Sequence, residues 1–199
     1  LWEYMASEKE IIKYNVNMDV NEIITYEDVC EVLYLLIKSS FFLNVYMNDN
    51  ATTYDLLKQR PQNIMTNLGD VTTLSLYVDR NKKSAIKYNN NFRIIPNTVF
   101  IYIINNNIKL NDNFIYFFSN TEKYIYANKK IFNKIIFDLM DNPTDEFKFW
   151  LKNLEKCYKV CDYITYVCPH LKRIIELKTK KPTIYVKNGV NFKKFNDII

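Results

Sequence analysis

Glycine is nearly missing from this chain: 199 residues contain two, Gly69 and Gly189. Neither a Gly-x-Gly-x-x-Gly fingerprint nor a phosphate loop is present, so no nucleotide cradle of either kind is encoded locally. Histidine occurs once, as His170. The four cysteines, Cys30, Cys157, Cys161 and Cys168, have no paired spacing and sit in apolar patterns, which reads as reduced core thiols rather than a disulfide framework. With His170, the last three match no common zinc motif, and no metal or other cofactor is expected. The pair Asp138 and Asp141 supplies too few oxygens for a hard cation. No apolar run approaches the ~20 residues that span a bilayer, and the acidic start after Leu1 lacks the order of a signal peptide. The expected location is cytoplasmic.

What is present points to a packed domain. Hydrophobic residues make up 48% and aromatics 16% of the chain, enough for one substantial core and too much for a disordered one. The asparagine clusters at 89–91 and 105–107 are interrupted by apolar runs, and so reflect composition bias rather than low-complexity coil. The net charge is +5, but from Leu171 to Lys194 there are eight Lys or Arg against one acid, Glu176. Such a stretch can be a solvated helix face or can meet an anionic partner: phosphorylated substrate, nucleic acid or an anionic membrane.

The last third is the best organised part. Lys134 to Asp141 is an apolar run of strand length, suited to burial on both faces. Phe147, Trp150, Leu154, Cys157 and Cys161 recur at spacings of three and four, predicting a helix over 142–161 that lies on a sheet. Tyr163 to Cys168 reads as a second strand, Pro169 as the first residue of a second helix, and Thr183 to Val186 as a third strand ended by the Asn188-Gly189 turn. Upstream, Thr25 and Asp28 have capping-box spacing before a helix with Val29, Val32, Leu33, Leu36 and Ile37 on one face. Phe41 to Met47 is the candidate first strand, Pro61 opens a helix with Ile64, Met65 and Leu68, and Thr72 to Val78 is the next strand. Strand-like character extends through Thr98 to Ile104, another strand is expected at 113–118, and a helix over 121–132. The fold expected is α/β: a doubly wound, mainly parallel, Rossmann-like sheet with helices on both faces. Residues 1–40 form an extension with an amphipathic helix, 41–187 the Rossmann-like domain, and 188–199 the start of a hinge.

Four stretches resemble glycosyltransferase family 4: Tyr54 to Gln62 (Tyr-Asp-Leu-Leu-Lys-Gln-Arg-Pro-Gln), Phe137 to Asp141 (Phe-Asp-Leu-Met-Asp), Asp162 to Arg173, and Pro182 to Asn191 followed by Phe195. Three positions depart from that pattern: Cys168 replaces a usual serine, Lys187 a common proline and Asn191 a common aspartate. The resemblance implies one half of a GT-B fold, the acceptor side of a retaining transferase that uses a nucleotide-sugar as donor substrate. In that family the donor is held mostly by a second Rossmann-like domain, which carries a Glu-x7-Glu motif. This sequence lacks that spacing and stops four residues after Phe195, so an amino-terminal half that is inactive alone is expected. GT-B enzymes generally need no metal.

Parallel sheets bind ligands beyond the carboxyl ends of their strands. The substrate-binding candidates are therefore Tyr54, Gln59 and Arg60 after the first strand, Asp141 and His170 after later ones, and Asn188 and Gly189 at the hinge. No catalytic residue is assigned. Arg60 at a helix entrance can hold an anion from a solvent-accessible rim, or can pair with an acid of its own domain. The partners implied are a nucleotide-sugar and a glycan or lipid-linked acceptor, with a peripheral anionic membrane contact; nucleic acid is the weakest alternative. From another class comes a non-catalytic Rossmann-like module that meets an anionic surface or partner through residues 171–194.

Overall fold

The structure is a computed structural model that describes residues 29–30, 33–34, 36, 44–49, 60–68, 73–79, 87–89 and 91–188, without the side chains of 87–89 and 145–147. Its described strands form one sheet: β1 (Asn44–Asp49), β2 (Thr73–Asp79), β3 (Lys87–Asn89), β4 (Phe92–Pro96), β5 (Phe114–Phe118), β6 (Lys134–Leu139), β7 (Tyr163–Tyr166) and β8 (Thr183–Tyr185). The order across the sheet is β3-β4-β2-β1-β5-β6-β7-β8. Every neighbouring pair is parallel except β3 with β4. The seven parallel strands thus run 3-2-1-4-5-6-7 in their own sequence order, the Rossmann-like arrangement, with the reversal of winding between β1 and β5.

Parallel neighbours cannot be joined by a hairpin, so each step needs a crossover, and crossovers share one hand. Reversing the direction of winding therefore moves the helices to the other face. Helix α1 (Arg60–Asn67), between β1 and β2, buries Met65 in a small cluster with Tyr77, Phe92, Ile94 and Phe117. Helices α2 (Asn97–Asn105), α3 (Leu151–Val160) and α4 (Pro169–Lys178) contribute Val99, Phe100, Leu154, Cys157, Leu171 and Ile175 to the main cluster. Strand alternation keeps the two apart: Val45 and Met47 of β1 belong to the main cluster, while Tyr46 packs on the small one. Val29, Leu33 and Leu36 are helical and buried on the main face, as expected of the upstream amphipathic helix.

Rings explain how so few small residues can still fill the core. Phe132 stacks on Tyr116 at 4.9 Å, Tyr116 on Phe118 at 5.4 Å, and Phe118 meets Phe137 at 5.1 Å. Phe137 then reaches Tyr158 of α3 at 6.0 Å, edge to face.

Four local expectations are corrected. Thr98 to Ile104, expected to be strand-like, lies in helix α2, because an apolar run without polar alternation carries no period. Pro96 precedes that helix, and Asn107, at φ 52°, ends it. Ile108 N–H donates to Ile103 O at 2.9 Å and Asn107 N–H to Ile104 O at 3.3 Å, the paired bonds of a left-handed cap that asparagine tolerates. The helix expected over 121–132 is only a 3-10 segment, Thr121–Tyr126. There the side-chain oxygens of Asn120 and Asn128 accept from the N–H groups of Glu122 and Lys130, both at 2.9 Å, so asparagine turns replace helical bonds. The helix expected from 142 begins as a 3-10 turn, Asp145–Trp150, and becomes α-helical at Leu151. The strand expected to run to Asp141 ends at Leu139.

Asp162 fastens the start of β7. Its carboxylate accepts from Ile135 N–H at 2.8 Å and pairs with Lys129. Burial raises its pKa, but the bonds from Lys129 and Ile135 and the charges of Lys129 and Lys134 outweigh burial and leave it below the usual carboxylate value.

Phe137 is fully buried between two rings, so Phe137→Ala should cost about 3 to 5 kcal/mol in urea unfolding. Trp150 is 8% exposed at the 3-10 to α junction, beside exposed Phe149, and should cost less when replaced by Ala. Equal midpoint shifts for the two variants would contradict this division between core and rim.

Candidate functional site

Three of the parallel strands carry acids at or next to their carboxyl ends, and all are buried: Asp49 on β1, Asp79 on β2 and Asp138 on β6. A buried carboxylate needs a partner, since an isolated charge in a protein interior is costly. Asp138 has two. Arg60 grips it side-on, Nε to Oδ2 at 2.9 Å and Nη2 to Oδ1 at 3.1 Å, and the Thr165 hydroxyl donates to Oδ1 at 2.5 Å. The remaining terminal nitrogen of Arg60, Nη1, donates to Lys187 O at 3.2 Å and to Asn188 Oδ1 at 3.0 Å. One guanidinium thus ties the start of α1, the end of β6 and the exit from β8 together, with β7 joined through Thr165.

At the reversal of winding, Asp49 pairs with Lys123 at 2.6 Å, with side chains 0% and 4% exposed. Lys123 also stands over the Tyr126 ring, 5.3 Å from its centre. On the opposite face of β1, Asn48 donates through Nδ2 to Phe117 O at 2.8 Å. Asn48 Oδ1, Ser119 Oγ and Thr121 Oγ1 are buried without a hydrogen-bond partner among the described residues. Polar groups therefore cap the carboxyl ends of β1 and β5, where doubly wound sheets take their ligands.

Of the sequence-derived candidates, Tyr54, Gln59 and Gly189 lie outside the described residues. Arg60 and Asn188 share a hydrogen bond. Arg60 does not offer the accessible guanidinium expected: its side chain is 8% exposed, because the buried Asp138 draws it inward. Asp141 and His170 are both exposed, two residues beyond β6 and in the first turn of α4 after β7. Partial desolvation, and secondly the charge of Asp138, raise the Asp141 carboxyl above its usual value.

Sequence reasoning missed Asp138 as the carboxylate that holds Arg60, and missed the Asp49 to Lys123 pair altogether. The recurrence of an acid at the end of an apolar strand was the available signal. Of the four cysteines expected in the core, Cys157 and Cys161 are buried and Cys30 and Cys168 only partly so; burial pushes the Cys157 thiol up to about 12 and the Cys161 thiol up to about 11, leaving both protonated and inert. Among the described residues, no group of three or more His, Cys, Asp or Glu can hold a metal ion, and no helix is long and apolar enough to cross a membrane. In the basic stretch, Lys172, Arg173, Lys178 and Lys180 are exposed, while Lys181 Nζ is engaged by Cys161 O at 2.8 Å.

Arg60→Ala should cost about 3 to 5 kcal/mol in urea unfolding, because it strands a buried carboxylate. An unchanged midpoint would show that Asp138 does not depend on Arg60. Asp141 behaves oppositely. An acid with a raised folded-state pKa holds its proton more tightly when folded, so its contribution is present at low pH and lost as pH rises through the raised value. Asp141→Asn should therefore raise Tm at pH 7 and lose that advantage below pH ~4, the ordinary carboxylate range; a lowered Tm at pH 7 would contradict the assignment. The sequence matches no protein-family model and no curated protein.

Proposed function

We propose that this chain is the acceptor-side, Rossmann-like half of a retaining GT-B glycosyltransferase similar to family 4, which moves a sugar from a nucleotide donor to a glycan or lipid acceptor. One convergence carries the reading. The four stretches in which the resemblance lies contain Arg60, Asp138, Thr165 and Asn188, and these four side chains meet in a single network although Arg60 and Asn188 are 128 residues apart. A shared rim of strand ends is common to any parallel sheet, and what supports the reading is that side chains from all four stretches also bond to one another there.

On this reading the acceptor lies over the carboxyl ends of β6 and β7, beside the exposed Asp141 and His170. The donor is held mostly by a second domain that follows the hinge at 188–199. The work of the protein is orientation of the two substrates and stabilisation of the departing diphosphate, so this half alone turns over no substrate. The exposed cations Lys172, Arg173, Lys178 and Lys180 favour an acceptor presented at an anionic surface.

The protein encoded by the complete reading frame, given labelled nucleotide-sugars with glycan and lipid acceptors, should transfer sugar with retention at the anomeric carbon. Asp141→Asn and His170→Ala should each lower kcat/KM about tenfold or more with the fold intact, by loss of a polar contact to the acceptor. A folded protein that transfers no sugar, or unchanged transfer in both variants, would count against the proposal.

A further inference from the structure

The contacts of Arg60 divide into two sets. Its Nε and Nη2 edge is locked on Asp138, whose side chain is 0% exposed, and a planar fork gripped side-on has a fixed orientation. That orientation aims Nη1 outward, at the carbonyl of Lys187 and the side chain of Asn188, both on exposed residues just past the last described strand. Among the described residues the exit is otherwise held by pairing with β7, by Tyr185 stacked on Tyr166 at 5.4 Å and by Lys187 Nζ 5.9 Å from the centre of the Tyr185 ring. β8 has three residues and ends the sheet with only β7 beside it. Ile184 and Tyr185 are 47% and 45% exposed, and after the strand Val186 N–H makes one backbone bond to Tyr166 O at 2.9 Å. A short, half-exposed edge strand with few bonds belongs to the least stable part of a fold, so two hydrogen bonds from a rigid donor count heavily there.

We infer that Arg60 is a latch that sets the direction in which the chain leaves the sheet: Asp138 is its fixed side, and Lys187 and Asn188 are the segment it holds. Arg60 is thereby a positioning residue, acting on whatever follows Asn188 through the backbone and touching no substrate.

Two substitutions separate latch from simple brace. Arg60→Lys keeps a cation for Asp138, but a compact ammonium cannot reproduce both edges of the guanidinium. Asn188→Ala leaves the ion pair untouched and removes one of the two held groups. Hydrogen exchange followed by mass spectrometry should show amides of residues 183–188 exchanging about tenfold faster or more in Arg60→Lys, with a smaller increase in Asn188→Ala, while β1, β2 and β5 keep their protection. Trypsin should cut after Lys187 sooner in both. Unchanged exchange at 183–188 in either folded variant would overturn the latch, and so would loosening spread evenly over the sheet, which would make Arg60 a general brace. Exchange and proteolysis involve no sugar, so their outcome is independent of whether the chain serves a transferase.

Discussion

Parallel pairing is the constraint on which the rest of this structure depends. Once β1 lies parallel to both β2 and β5, no short turn can join these strands, and the intervening chain must cross a face of the sheet and cover it. Both faces are then covered, which is why β2, β4 and β5 are buried along their whole lengths and β5, Phe-Ile-Tyr-Phe-Phe, reads as a continuous hydrophobic run. A second consequence is that all parallel strands end on the same side. Their carboxyl ends form one rim, and the residues just past them become neighbours however far apart they are in the chain.

That rim is where charge has been taken into the interior. Asp49 and Asp138 are each buried and each pair with a long cation, Lys123 and Arg60, drawn from a segment outside the sheet. The two cations are not equivalent. The Lys123 ammonium is a point charge placed over a ring beside Asp49, and it serves one site. The Arg60 guanidinium is planar and two-edged, so satisfying Asp138 on one edge orients the other toward the exit of β8. A requirement of folding, that no carboxylate be buried alone, thus becomes a device that connects α1 to the end of the sheet.

The same rim separates buried polar groups from accessible ones. Asp138 is held within the fold, whereas Asp141, three residues on and past the end of the strand, is exposed, with a carboxyl raised first by partial desolvation and secondly by the charge of its buried neighbour. If the chain serves as half of a transferase, groups such as Asp141 and His170 are available to a substrate, and the Arg60 network is the scaffold that carries them.

Most of the fold was legible in the sequence. The strands at 134–139, 163–166 and 183–185, and α4 with Pro169 as its first residue, are local matters of apolar run length and proline placement, and they follow from windows of ten residues or fewer. The burial of Leu154, Cys157 and Cys161 follows from the three and four spacing in the same way. Helix α2 was not legible, because Val99 to Ile104 has no polar residue to mark a period, and only its place as the crossover between parallel β4 and β5 makes it a helix. Nor was the short 3-10 segment at 121–126, since Asn120 and Asn128 can bond their own backbone as readily as they permit a helix. For the site, the sequence determined that polar residues follow the strands and that Arg60 stands at a helix entrance. Only the tertiary structure decided that Arg60 is turned inward to Asp138 and outward to Asn188, and that Lys123 belongs to Asp49, because these partners lie 78, 128 and 74 residues apart and no local pattern encodes which buried charge a distant cation will meet.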